Sequence, residues 1–389
     1  MLVATPFLLL QNYLQSAIGM LSEYTYSIGS FSIPYTLSVA VVFAVILLFV
    51  FRHGITSWNM AVMVTVILMM SLGQYISDFY FNHNFWDLQH NWHYFAYGIY
   101  SFIMYRFYKS RNIRLERIVL FTFITAICVS TFDEGAQVYI SSRIFDIGDI
   151  SKDAWGTMMG LTILILIVEK HNYPLRQWKI RHPKFSGYFS NPLTLYTQEV
   201  IFVIILLIIS SLLTDIEYLA VSILISTGVF LLVFLVIHFS QFRIPRIILC
   251  ALAVIAAAGQ ITSFIIHRHD GISHNSYGFT VYNGIPLPFF DVMIFDNGGF
   301  RFVDKKHSFG KRDQRTIFTF EPDILLVGSG NLDNGGLGFP TKDVVQFVYN
   351  PLGGKIQQII ILPTHQACRE FNRLKKEGKK VLFILHNTC

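Results

Sequence analysis

A run of polar side chains interrupts the apolar first two thirds of this 389-residue sequence: Ser130-Thr131-Phe132-Asp133-Glu134-Gly135-Ala136-Gln137, then Arg143, Asp146, Asp149 and Asp153, with Gly156 and Gly160 behind them. Asp133 and Gln137 are four apart, as are Asp149 and Asp153, so each pair would share one face of a helix. His93 opens an earlier apolar segment and could reach the same surface. Five carboxylates beside one arginine cannot all stay ionised near lipid without a compensating proton or cation. Three chemistries fit these residue types. The carboxylates could ligate a divalent cation through oxygen, they could act as general acid and base, or Arg143 could clamp a lipid phosphate or carboxylate. The competing reading is an ordinary outward loop in which Asp146 and Asp149 cap the next helix and Asp133 marks a membrane boundary. That reading leaves Gln137 and Arg143 without a role. Gly156 and Gly160 would leave a groove that lets another helix approach the acidic face closely.

The elements that must position these groups follow from composition. Hydrophobic residues make up 53% of the chain and charged residues 14%, against roughly a quarter charged in a soluble domain. The apolar excess is confined to the sequence before residue 270, where segments of about 17 to 25 residues, enough to cross a bilayer, read at 33–51, 59–76, 92–108, 115–132, 154–169, 198–214, 217–238 and 246–266. Residues 1–32 lack a basic leader and a cleavage site and read as an interfacial segment. Arg52, Arg106 to Arg117, Lys170 to Lys184, and Arg243 with Arg246 follow alternate spans and mark cytoplasmic loops; the acidic loops, including 133–153, should face the other side. With all eight spans crossing, the C-terminal region would also be extracytoplasmic. Trp58, Trp86, Trp92, Trp155 and Trp178 lie near span ends, as interfacial anchors do. The formal charge of +6 collects in loops beside apolar segments, where it sets topology, and no nucleic-acid signature is present. Cys128 and Cys250 fall within apolar segments, and no cysteine spacing suggests a disulfide framework.

After a linker at 267–284 the pattern changes to short alternating runs. A hairpin is expected around Asp296-Asn297-Gly298-Gly299. Then come a strand over 323–327, a helix beginning near Thr341, a strand over 356–362, a helix to Glu377 stopped by Gly378, and a strand to Leu385. Right-handed crossovers would place these strands in one partly parallel sheet. Gly328-Ser329-Gly330 sits where backbone amides could cradle an anion, but no third glycine completes a dinucleotide fingerprint, so the glycines read as structural. Thr364, His365, Cys368 and Arg369 cluster within little more than one turn. Arg369 could activate the thiol, yet no acid partner accompanies it, and a buried, inert Cys368 is favoured. The fold class is thus a polytopic α-helical membrane bundle of about eight spans followed by a small α/β soluble domain at 285–389.

The set His93 (in the frame His-x-x-x-Tyr), Asp133, Glu134, Gln137, Arg143, Asp146, Asp149, Asp153, Gly156 and Gly160 resembles the VanZ-like family of membrane proteins over about residues 30–170. Asp153 stands where many members have Asn. The added spans at 171–266 lie outside the resemblance. It implies a multi-pass protein of the cell (plasma) membrane, a cell-envelope function and a link to teicoplanin-type glycopeptide resistance, with no settled reaction. The alternative is a membrane enzyme acting on a lipid-linked envelope precursor through the carboxylate cluster. The implied partners are the bilayer and a lipid-linked or anionic envelope ligand, with a divalent cation at the acidic cluster as the one cofactor the residues admit. The C-terminal segment resembles the small α/β fold of a mitochondrial complex I assembly factor over about 285–386. The residues carrying this are Pro322 to Gly330, Phe339-Pro340, and Ala367-Cys368-Arg369-x-Phe371-Asn372-x-Leu374-x-x-Glu377-Gly378. That resemblance implies a binding or assembly module with a protein partner.

Overall fold

A computed structural model describes residues 24–28, 31–34, 56–77, 88–138, 145–170, 175–213, 219–303, 316–317, 319–330, 344–349 and 356–388. Strands β1 (Thr25–Ile28) and β2 (Phe31–Pro34) pair antiparallel. Seven long helices follow: α1 (Ser57–Ser77), α2 (Leu88–Lys109), α3 (Leu115–Gln137), α4 (Ile147–Ile163, prolonged by a π-helical turn Leu164–Val168), α5 (Pro192–Leu212), α6 (Leu219–Phe239) and α7 (Arg243–His267). Among the described residues, six of them, all but the more polar α2, are long and apolar enough to cross a membrane. Their exposed Leu, Ile, Val and Phe side chains fit a multi-pass membrane protein. The expected first span lies outside the described residues from position 35 onward, and a count of about eight would need both that segment and the more polar α2 to cross.

α4 is the axis of the bundle. Of its apolar window 83% is buried, against 11% for α6 and none for α7. Small residues allow this. A Cβ on Gly156 would lie 2.9 Å from the Tyr94 Cα and 3.0 Å from the His93 carbonyl oxygen, and one on Gly160 would lie 2.7 Å from the Gly98 oxygen. The groove expected from these glycines is therefore filled by α2, backbone against backbone. On another side, Gly73 of α1 faces the ring of Trp155. Trp155 is fully buried, and its Nε1 donates to the Met69 oxygen at 2.7 Å. It is a packing residue inside the bundle and not the interfacial anchor expected from its place in the sequence; Trp92 and Trp178 are exposed.

Residues 247–389 form a second compact unit. Its sheets are β3 (Ile272–Ser276), β4 (Phe279–Tyr282) and β5 (Ile285–Pro288) in a meander, and β6 (Val292–Ile294), β7 (Phe300–Phe302), β8 (Ile324–Gly328), β9 (Val344–Tyr349), β10 (Ile356–Leu362) and β11 (Val381–Leu385) in the order β7-β6-β11-β8-β10-β9. β8 runs parallel to both β10 and β11, and the outer pairings are antiparallel. Helix α8 (Thr364–Lys376) lays Ala367, Cys368, Phe371 and Leu374 on one face of this sheet. Ile317 and Phe320 meet the other. Two expectations are corrected. The helix placed from Thr341 is a strand over Val344–Tyr349, where β-branched and aromatic residues suit a pleated edge beside β10. The segment 267–284, taken as a linker, holds β3 and β4, joined to β5 at Asn283-Gly284, both with positive φ, the two-residue hairpin signature.

Candidate functional site

α3 ends and α4 begins with the polar run, so their ends, together with the first turns of α2, bring the candidate residues into one place. The His93 Nδ1 lies 2.8 Å from the Asp153 Oδ1 and its Nε2 lies 3.6 Å from the Asp149 Oδ1. Ser130 on α3 donates to the other Asp153 oxygen at 2.6 Å, and Lys152 donates to Asp149 at 2.8 Å. A second knot adjoins the first: Gln137 donates to Glu134 at 2.8 Å, and the Asp146 backbone amide reaches the other Glu134 oxygen at 3.3 Å. Asp146 itself is the N-cap of α4, accepting from the Gly148 amide at 2.6 Å, so the capping reading holds for it. Burial, then repulsion from Asp149, pushes the Asp146 carboxyl up to about 6, opposed by Lys152 and the Gly148 amide. Asp133 is buried on the same end of α3. Arg143 lies outside the described residues.

Burial grades across the site. The Asp153 side chain is 5% exposed, while those of His93 and Asp149 are 18% and 19% exposed, so the inner carboxylate orients an imidazole whose other nitrogen faces Asp149 on the more exposed side, the mouth of the site. Asp133, Glu134, Asp146, Asp149 and Asp153 outnumber Lys152 and His93, the cationic or ionisable partners described. Among the described residues, no group of three or more His, Cys, Asp or Glu is arranged to hold a metal ion. The ammonium of Lys152 occupies the cationic position on Asp149.

Two participants were missed. Lys152 falls in the stretch 133–153 expected above to be an outward acidic loop, and its spacing of three from Asp149 is the available signal. Ser130 was quoted without a role. Elsewhere in the bundle, Glu169 is buried and bound by the Tyr105 hydroxyl at 2.5 Å and by Lys109. Glu199 on α5 is 5% exposed, and neither carboxyl oxygen has a hydrogen-bond partner among the described residues.

In the C-terminal unit the glycine run is structural, as favoured. The Ser329 amide donates to the Leu362 oxygen at 2.8 Å and the Gly330 amide to the Thr364 Oγ1 at 2.9 Å, which leaves those amides aimed at neighbouring chain. The Thr364 hydroxyl donates onward to the His386 oxygen at 2.7 Å. Cys368 is buried and its thiol is pushed up to about 12 by burial, so it is inert at neutral pH.

No family model matches this chain, and no curated protein does. Among solved structures, one titled MT938 is similar to it, with a TM-score of 0.23 and 18% identity, covering 31% of this chain and 98% of that one.

Proposed function

We propose that this chain is a multi-pass protein of the plasma membrane that works in the cell envelope in the manner of VanZ-like proteins, including teicoplanin-type resistance. In this reading its acidic mouth opens outside the cytoplasm and binds the polar head of an envelope ligand. The supporting observation is the connected set Ser130–Asp153–His93–Asp149–Lys152, which gathers ionisable groups at one end of a mostly apolar bundle. Ionisable residues within membrane helices are expensive to bury and mark functional sites. The part of the ligand that is anionic would depend on Arg143, and the part that is cationic or a hydrogen-bond donor on Asp149. The C-terminal unit serves as a binding or assembly module for a protein partner. Expression in a teicoplanin-susceptible bacterium should raise the inhibitory concentration, and Asp153→Asn or His93→Ala should return it to the vector level. Unchanged susceptibility with the unmodified chain would rule out the resistance role.

A second reading, an enzyme acting on a lipid-linked precursor, draws on one feature. His93 has one nitrogen held by a buried carboxylate and the other facing the less buried Asp149 at 3.6 Å, the arrangement of an oriented acid–base histidine. A bell-shaped pH–rate profile on a lipid-linked substrate that flattens in His93→Ala would favour it. A divalent cation would have to displace Lys152 from Asp149. Calorimetric titration with magnesium should then give tighter binding to Lys152→Met, and no heat with either protein would remove the cation.

A further inference from the structure

The last two turns of α7 are tied to the sheet. The Gln260 Nε2 donates to the Gly284 oxygen at 2.9 Å and the Ser263 Oγ to the same oxygen at 3.3 Å. A turn of a water-facing meander does not enter hydrocarbon, so the part of α7 left to cross is Arg243 to Gly259, about 17 residues or roughly 25 Å. Ile261, Phe264, Ile265 and Ile266 beyond Gln260 are exposed, as residues lying in an interfacial layer would be. With α7 crossing in this way, the C-terminal unit would rest on the membrane surface where α7 emerges.

A cleft opens close to that point. Asn372 of α8 is pinned to the first strand after α7, accepting from the Ile272 amide at 2.9 Å and donating to the Ile272 oxygen at 2.7 Å. One turn further along α8, Lys375 lines a cavity of about 420 Å³ with Lys379, Lys380 and Asp296, floored by Phe371 and Val381. Gly378, in the left-handed region at φ +73°, has open space where a Cβ would stand. Three ammonium groups thus face one carboxylate. Lys380 is committed in part, donating to the Phe320 oxygen and lying 4.5 Å from the centre of its ring. Lys375 lies 5.9 Å from the Tyr282 ring centre, within the field of Asp270, and Lys379 is exposed. Lysines near a helix C-terminus ordinarily offset its dipole. Lys375 does more than that, because it is drawn half-buried into the cleft, where losing water lowers its pKa and an anion would restore the favourable environment of its charge.

We propose that this cleft binds a phosphoryl anion at the membrane surface, with Lys375 and Lys379 as its charge partners and Phe371 and Val381 against the ligand's apolar part. A glycerophospholipid head group or a soluble phosphate ester would each present that chemistry. The test is amine acetylation read residue by residue by mass spectrometry on the full chain in nanodiscs. Neutral phosphatidylcholine discs are compared with discs that also contain phosphatidylglycerol, and with neutral discs plus inorganic phosphate. Lys376, adjacent on α8 but outside the cleft, is the internal reference. Labelling of Lys375 and Lys379 should fall about five-fold relative to Lys376. A fall with phosphatidylglycerol alone assigns a lipid, and a fall with inorganic phosphate assigns a soluble anion. Changes at Lys375 and Lys379 no larger than at Lys376 in both arms overturn the site. The double variant Lys375→Gln with Lys379→Gln should lose any rise in thermal midpoint that the effective anion gives the unmodified chain.

Discussion

Among the described residues, two buried aspartates, Asp291 and Asp153, each hold a histidine, and the two pairs are used differently. In the C-terminal unit, Asp291 lies 3.1 Å from the His386 Nδ1, and its other oxygen accepts the Asn387 amide at 2.7 Å. Asn387 in turn donates to the Leu287 oxygen and accepts from Thr280. Asp291, His386, Asn387 and Thr280 are each at most 2% exposed, and the result is a clamp that holds the chain after β11 against β4, β5 and the start of β6. In the bundle, the Asp153–His93 pair has a shorter contact and a buried carboxylate, yet its imidazole continues to Asp149 and a partly open mouth. The residue pair alone does not distinguish a structural tie from a site. The distinction lies in what the second nitrogen and the second oxygen meet.

The sharpest break of that contrast is Asp291→Ala, which strips partners from a buried imidazole and a buried amide. It should cost on the order of 3 kcal/mol or more, seen as rapid proteolysis after α7 while the bundle stays intact. If the C-terminal unit keeps its protease resistance, the clamp reading is wrong. Next comes Gly156→Leu, whose side chain would meet the α2 backbone already 2.9 Å from a Cβ. Overpacking of about 1–3 kcal/mol should lower the thermal midpoint in detergent and abolish any activity that needs His93 on Asp153. The substitution leaves the C-terminal clamp untouched.

Ser130→Ala sharpens the comparison more gently. It removes one donor from Asp153 and should cost about 1 kcal/mol, and Ser130→Thr should restore the stability. The Asp146 carboxyl supplies a pH test. Its pKa is higher in the fold, about 6, than its ordinary 3.8, so the folded state favours the neutral form. The stabilisation is complete below about pH 4 and is lost as pH rises through about 6. Asp146→Asn should remove that slope from the thermal midpoint. The smallest expected effect is at Cys368: mapped residue by residue, a thiol-specific alkylating agent should label the exposed Cys128 and Cys250 of the folded chain but leave Cys368 unmodified at neutral pH, and should label Cys368 once the chain is denatured.

Much of this was legible in the sequence. Apolar runs of bilayer length must become helices, because an unpaired backbone cannot lie in lipid, and the runs from 59 onward did so. The run 59–76 is the helix Ser57–Ser77, and 246–266 is Arg243–His267. The shared helix face of Asp149 and Asp153 follows from their spacing of four, whereas for His93 the sequence indicates only that it could reach the same surface. Lys152 was hidden because a lysine three residues from one aspartate and one from another has the same one-dimensional signature whether it sets topology or neutralises a neighbour. Burial decides between these, and burial depends on α2 and α5, distant in sequence. Val344–Tyr349 was taken for a helix because an alternating strand–helix order was extended over it. Its own Val, Phe and Tyr content pointed to a strand, and Asn283-Gly284 pointed to the hairpin that was passed over as linker.

The strand order has a consequence for how the protein is made. The helices come off the ribosome in sequence and can enter the bilayer one after another. β11 is the last strand of the sheet to be synthesised, yet it lies in the middle, between β6 and β8. Until it arrives, β6 and β8 each present an unpaired edge to the cytosol or translocon, and the apolar face that α8 covers stays incomplete. Maturation of this protein therefore has two clocks, an early one for the membrane and a late one for the sheet. A pause in translation before β11 would leave an inserted bundle carrying an aggregation-prone half-sheet.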